Sequence, residues 1–448
     1  MNRIRTACLS LLLLPLAANA TDLSSLEREA IAPGDGWASA ATEALPLGTT
    51  GGSAADVARV HTVHDRNALV AALGHPDATP KIIRVAGVID ANVDADGNPL
   101  ACEDYARPDP ETGELYSLEQ YLADYDPAVW GRDSEPEGPQ ERARRASASA
   151  QQSRIRIRIP SNTTIVGVGP DAAIRGAWFD IRPGSGSDNA PANVIIRNLT
   201  FADTHDCFPQ WDPTDGSAGN WNSLYDAISI RNATHVWIDH NTLLDDATAD
   251  DTLPHYFGRL FQVHDGLIDI TNASDLVTVS WNVLADHDKA MLVGSSDGAS
   301  ADRGRLRITL HHNLFHDLAQ RVPRLRFGQA HVYNNLYSLS SEGAGRYGYS
   351  WGLGIESQLY AENNAFLVPP DVTPDRFIGI FNGTAAHVAG TYVNGVSRHN
   401  AVDVIAAYNA ANGTAIGSEV DWTPTLFKRI DPTQSVPARV SVHAGPLE

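Results

Sequence analysis

Asp226 opens the run "YDAISI", and Asp265 and Asp269 lie four residues apart in "HDGLIDI". On an extended strand, positions 265 and 269 face the same way but stand about 13 Å apart, too far to share one ion. A bend at Gly266 that shortens this distance, with Asp226 brought in from a neighbouring segment, makes a compact three-carboxylate cluster. Hard oxygen donors without histidine or cysteine favour Ca²⁺ over zinc. Taken singly, each aspartate reads equally as a solvated turn residue. The acidic run "DDATADD" at 245–251 is assigned no ligand.

Cations follow further along the chain. Lys289, in "DHDKAMLVGSSD", is one of three lysines against 30 arginines. It reads either as a point charge aimed at an anion or as a surface lysine with a buried stem. The segment "QRVPRLRFG" at 320–328 holds Arg321, Arg324 and Arg326. Pro323 argues against a central antiparallel strand. In an extended stretch Arg324 and Arg326 share a face, and Arg321 points to the other. Beside a calcium site these arginines would draw a polyanion; otherwise they pair with some of the chain's 54 acids.

The elements that must position these groups recur from about residue 154. Short β-branched runs such as "RIRIRIP", "NVIIRNLTF", "DLVTVSWNVL" and "LRITLHHNLF" are strand-length, and most end in asparagine. Asn198, Asn241, Asn282, Asn313, Asn335 and Asn364 are spaced 43, 41, 31, 22 and 29 residues apart. A minimum repeat near 22, lengthened where loops enter, predicts a parallel β-solenoid whose stacked asparagines bond from coil to coil. A β-sandwich would instead show turn signals every 8–12 residues or so. Several of the six Asn-x-Ser/Thr sequons overlap the repeated strands, so their asparagines read as structural. Residues 21–60, rich in Ala, Gly, Ser and Thr, and 135–153, polar and low in apolar content, read as surface or poorly ordered segments.

The motifs "VWIDHNT", "HDGLIDITNASDLVTVSWN", "DHDKAMLVGSSD", "ITLHHNLF" and "QRVPRLRFGQAHVYNN" together resemble the pectate lyases of polysaccharide lyase family 1, over about residues 155–400. The resemblance implies an all-β, right-handed parallel β-helix. It makes Asp226, Asp265 and Asp269 the primary Ca²⁺ ligands, Lys289 and Arg326 substrate-carboxylate contacts, and Arg321 the base. Sister pectin lyases, which act on methyl-esterified polymer, lack the acidic cluster. The implied reaction is therefore β-elimination on polygalacturonate, the de-esterified polymer. Arg321 as a base requires a strongly depressed pKa, since arginine is ordinarily protonated, and an alkaline optimum is expected. A hydrolytic polygalacturonase would need acids at the scissile bond, and a non-catalytic calcium-dependent adhesin would bind without cleaving.

Residues 1–20, "MNRIRTACLSLLLLPLAANA", read as a signal peptide cleaved after Ala20. The expected plan is that leader, an N-terminal segment at 21–153 packed on the helix, and a β-helix with C-terminal extension at 154–448. Loss of the leader removes Arg3, Arg5 and no acid, moving the formal charge from −21 to −23. Nucleic acid and anionic membranes are thus excluded as partners, and a secreted or periplasmic monomer is expected. Of the three cysteines only Cys102 and Cys207 remain, and spacing leaves their pairing open.

Overall fold

In the computed structural model, residues 26–184, 186 and 189–447 are described; the leader at 1–20 lies outside them. The chain winds into a right-handed parallel β-helix. Two of its three ladders join through the long strand Thr163–Arg175 into a 17-stranded sheet. The third has eight strands, in the order Arg156–Arg158, Trp178–Ile181, Ile228–Arg231, Ile268–Thr271, Leu292–Val293, Arg324–Leu325, Trp351–Gly354 and Ile378–Phe381.

Parallel strands buried on the inner face put like residues over like. Ile165, Ile196, Ile238, Val279, Leu310, Val332 and Ala361 stack in register. All are fully buried, so each coil covers its neighbour's apolar surface. Short helices close the two ends. Arg66–Leu73, capped by Asp65, buries Leu69 and Leu73, and Val404–Asn412, capped by Asp403, buries Val404 and Ile405.

The asparagine ladder forms over five of the six positions. The Asn241 backbone N–H and side-chain amide both donate to Asn282 Oδ1, at 2.9 and 3.0 Å. The pattern repeats through Asn313, Asn335 and Asn364. Asn198 lies one position early. Its left-handed φ of 59° matches that of His240, Trp281 and His312, and Leu199 N–H donates to Asn241 Oδ1 at 3.1 Å in its place.

The solenoid starts earlier than composition suggests, since Val60–Val63 and Lys81–Asp90 already pair in parallel. Nor is 135–153 a loose surface segment: Pro139–Ile155 is one α-helix. Most of what it buries is polar, and Glu141 binds Arg144 and Arg145, each at 2.7 Å, and accepts from the Tyr121 hydroxyl. Paired charges replace the apolar stripe by which sequence marks a buried helix.

Cys102 and Cys207 form a disulfide with Cα atoms 5.3 Å apart. It ties the N-terminal segment to a loop that carries Trp211 and Trp221, which pack against Tyr121 and Tyr125. Closing a loop of this length, Cys102→Ser is expected to cost about 2–5 kcal/mol, read as a lower melting temperature. An unchanged transition would show that the aromatic contacts alone hold the segment.

Candidate active site

The third ladder presents two outward rows. One runs Arg158, Asp180, Ser229 and Asp269, and the neighbouring strand adds Leu292 and then Arg324. Asp226 precedes its strand as Gly266 precedes the next, so Asp226 Oδ1 accepts the Gly266 N–H at 3.0 Å. Asp265 lies just before Gly266, outside the regular strand, which begins at Ile268. Gly266 bridges to Lys289, and this break in the strand brings 265 and 269 onto one site.

Gly266 is the floor between the carboxylates. A β-carbon there would stand 2.4 Å from Asp269 Oδ1 and 3.0 Å from Asp226 Oδ1. Asp269 Oδ1 accepts the Leu292 N–H at 2.9 Å, and Asp226 binds Ser229 Oγ and, at 3.5 Å, Arg231. Burial and the adjacent Asp265 push the Asp226 carboxyl up to about 6. Burial and both neighbouring carboxylates hold Asp269 well above its ordinary range. Burial also opposes ionisation of Asp265, but Lys289 and Arg321 outweigh it and keep that carboxyl low.

Lys289 Nζ lies 3.0 Å from Asp265 Oδ1. Among the described residues, three groups of ligand-type atoms close to within 4.8 Å of one another, and the Asp226–Asp265–Asp269 set is not among them. It is opened on one side, where Asp265 turns to Lys289. Arg321 has a left-handed φ of 60° beside the cis Val322–Pro323 peptide, and its buried Nε makes no hydrogen bond.

Asp226, Asp265, Asp269, Lys289 and Arg321 thus meet, whereas Arg326 lies further along the face. Its Nε donates to Asp297 at 2.7 Å and its Nη1 to the Gly294 carbonyl at 2.9 Å. Asp297, which also accepts from Asn382, fixes the plane of that guanidinium and was not evident from sequence. Arg324 is held by aromatic rings and not by an ion pair among the described residues. It lies 3.8 Å from the Phe381 ring centroid and beside Tyr349, groups from later coils.

Behind the site, burial would lower the His287 pKa, but the Asp245 carboxylate raises it to about 9. The imidazolium then donates from Nδ1 to Asp245 and from Nε2 to the Asp265 carbonyl at 2.6 Å. This brace fixes the main chain at Asp265. Repetition of histidine in "VHDG" and "DHDK" is the only hint of it in sequence.

Residues 139–402 match a family model described as pectate lyase. A pectate lyase of Bacillus subtilis is 46% identical over 436 residues, covering 97% of this chain and 96% of that protein. Pectate lyase E of Dickeya dadantii is 33% identical, over 78% and 74%. Among solved structures, a thermostable pectate lyase superposes with a TM-score of 0.87 at 43% identity, covering 94% of this chain and 99% of that one. A pectate lyase bound to a hexasaccharide gives 0.85 at 44%, covering 94% and 98%.

Proposed function

The chain belongs to the pectate lyase family and cleaves polygalacturonate by β-elimination; on that footing we propose that it does so outside the cell, with Ca²⁺ at Asp226, Asp265 and Asp269. Pectate lyases require a metal ion, and the donor set supports calcium. Two buried carboxylates, Asp226 and Asp269, face each other across a side-chain-free glycine with the part-exposed Asp265 beside them, and the buried two are held against ionisation mainly by burial and by neighbouring acids. Such a set is completed by a hard cation. When bound, the ion supplies Lewis-acid neutralisation of a uronate carboxylate, lowering the cost of removing the adjacent C5 proton.

The chain's own residues do the rest. Arg321 takes the C5 proton on a guanidine nitrogen that is neutral at that step and leaves it as guanidinium. The C5–H electron pair becomes the C4–C5 double bond, the C4–O bond breaks, and the departing oxygen is protonated by solvent. Lys289 pairs with a carboxylate at the cleavage point. Arg326, with Nε and Nη1 engaged by Asp297 and Gly294, offers Nη2 to another. Both charges strengthen as negative charge grows, so they act on turnover as well as on binding.

The convergence of the carboxylates with Lys289 and Arg321 carries this reading. The test is ultraviolet absorbance of the unsaturated product on polygalacturonate and on methylated pectin, with calcium and with chelator. Absorbance should rise on the former with calcium only. Polymer bound at every calcium level but never shortened would overturn the reading in favour of a non-catalytic binder. Gly266→Ala should weaken Ca²⁺ binding by calorimetry about 10–100-fold, the scale found when the support of a metal site is disturbed. Unchanged affinity would place the ion elsewhere.

A further inference from the structure

We propose that Arg156, Arg158, Arg182 and Arg231, gathered round Trp178 and Asp180 on the outward face of the third ladder, form a second carboxylate-binding station for the same polymer chain. The proposal rests on the polygalacturonate reading above.

Arg182 directly follows the strand Trp178–Ile181, the neighbouring strand ends in Arg231, and Arg158 pairs in register with Asp180. Asp180, fully buried, lies 2.6 Å from Arg156 Nε, 2.8 Å from Arg182 Nε and 3.5 Å from Arg158 Nε. The guanidinium groups of Arg156, Arg182 and Arg231 stand 5.0, 5.7 and 5.2 Å from the Trp178 ring. The indole is itself fixed by its N–H, which donates to Ser229 Oγ at 2.7 Å. Ring contacts of this kind hold cations in place without cancelling their charge.

The charge balance is what separates this cluster from a structural one. Arg142 with Asp109, Arg307 with Asp275 and Arg303 with Glu356 are paired with carboxylates. Here, among the described residues, four guanidinium groups share Asp180 and, through Arg231, Asp226. A surplus of positive charge thus stands at the surface of a chain whose formal charge is −21. The side chains of Arg158, Arg182 and Arg231 are 24, 30 and 31% exposed, open to an anion. One nitrogen of Arg156, Nη2, is buried without a partner.

Placement supplies the ligand class. Arg158, Asp180, Ser229 and Asp269 form one row across the ladder. At the usual strand spacing, Arg158 is on the order of 14 Å from Asp269. Arg324 and Arg326 lie on the other side of the acids. A polymer with a carboxylate on every ring, laid across these strands, meets cations on both sides of the cleavage point.

The test compares polygalacturonate with trigalacturonate, which leaves at most two rings on one side of the broken bond and stops short of the cluster. In R158Q/R182Q, neither position touches Asp226. The ratio of kcat/KM on polymer to that on trimer should fall about tenfold, through KM, as two partly exposed charge pairs are lost. The charge-keeping R158K/R182K should restore most of it and serves as the check on folding. Retention on polygalacturonate in affinity electrophoresis with chelator present should weaken in parallel. An unchanged ratio, or equal loss on both substrates, overturns the proposal. If the wild type releases no unsaturated product, the lyase reading fails instead. Equal retention of wild type and R158Q/R182Q would then overturn the station as well.

Discussion

Arg321→Ala should lower kcat on polygalacturonate by about 10²–10⁴, the range for loss of a positioned proton-transfer group, with little change in KM. Its surroundings set it apart from the other cations of the site. Lys289 is paired with Asp265 and Arg326 with Asp297, whereas Arg321 makes no side-chain hydrogen bond or ion pair among the described residues, and its Nε is buried and bare. Its position is fixed from the main chain: its carbonyl accepts the Met291 N–H at 2.8 Å, and the next residue, Val322, donates its N–H to the Ser350 carbonyl at 2.7 Å. On the proposed assignment, a group so held is available to the reacting atoms rather than tied to the scaffold. A rise in KM at constant kcat would assign Arg321 to binding alone and return the proton to another acceptor.

Asp269→Asn should remove several kcal/mol of metal-derived stabilisation, on the order of 10²–10³ in rate at low calcium, with partial recovery as calcium is raised. Its effect on folding should run the other way. Burial and the neighbouring Asp226 and Asp265 oppose ionisation of Asp269, so a neutral amide relieves repulsion that the folded state otherwise carries. In chelator the variant should melt no lower than the wild type. Added calcium should raise the wild-type melting temperature and leave the variant nearly where it was. Full wild-type activity in chelator would sink the metal assignment altogether.

The solenoid was legible because its repeat is carried by side chains that must stack. Asparagines at a bend have one way to satisfy a buried amide, and five positions obey it. Asn198 misled because an asparagine also suits the left-handed residue one step earlier. The three aspartates were legible as residues, and as a cluster only on the condition of a bend at Gly266, because an unbroken strand would keep positions 265 and 269 apart. Arg324 was misplaced because its partners, Phe381 and Tyr349, come from later coils, a distance no local pattern spans. The helix Pro139–Ile155 was hidden for the opposite reason, because its buried face is made of paired charges.

The stacking of one coil on the next also decides where the molecule comes apart. In a quasi-one-dimensional array each coil is held by its two neighbours, so opening starts at the ends and travels inward. Asp269 lies on the fourth of the eight strands in its ladder, with three strands on one side and four on the other. Amide exchange should therefore show fraying first near the terminal helices and last around Ile268–Thr271. A lyase built this way keeps a working centre while its extremities breathe, and its loss of activity on heating should trail the first loss of structure.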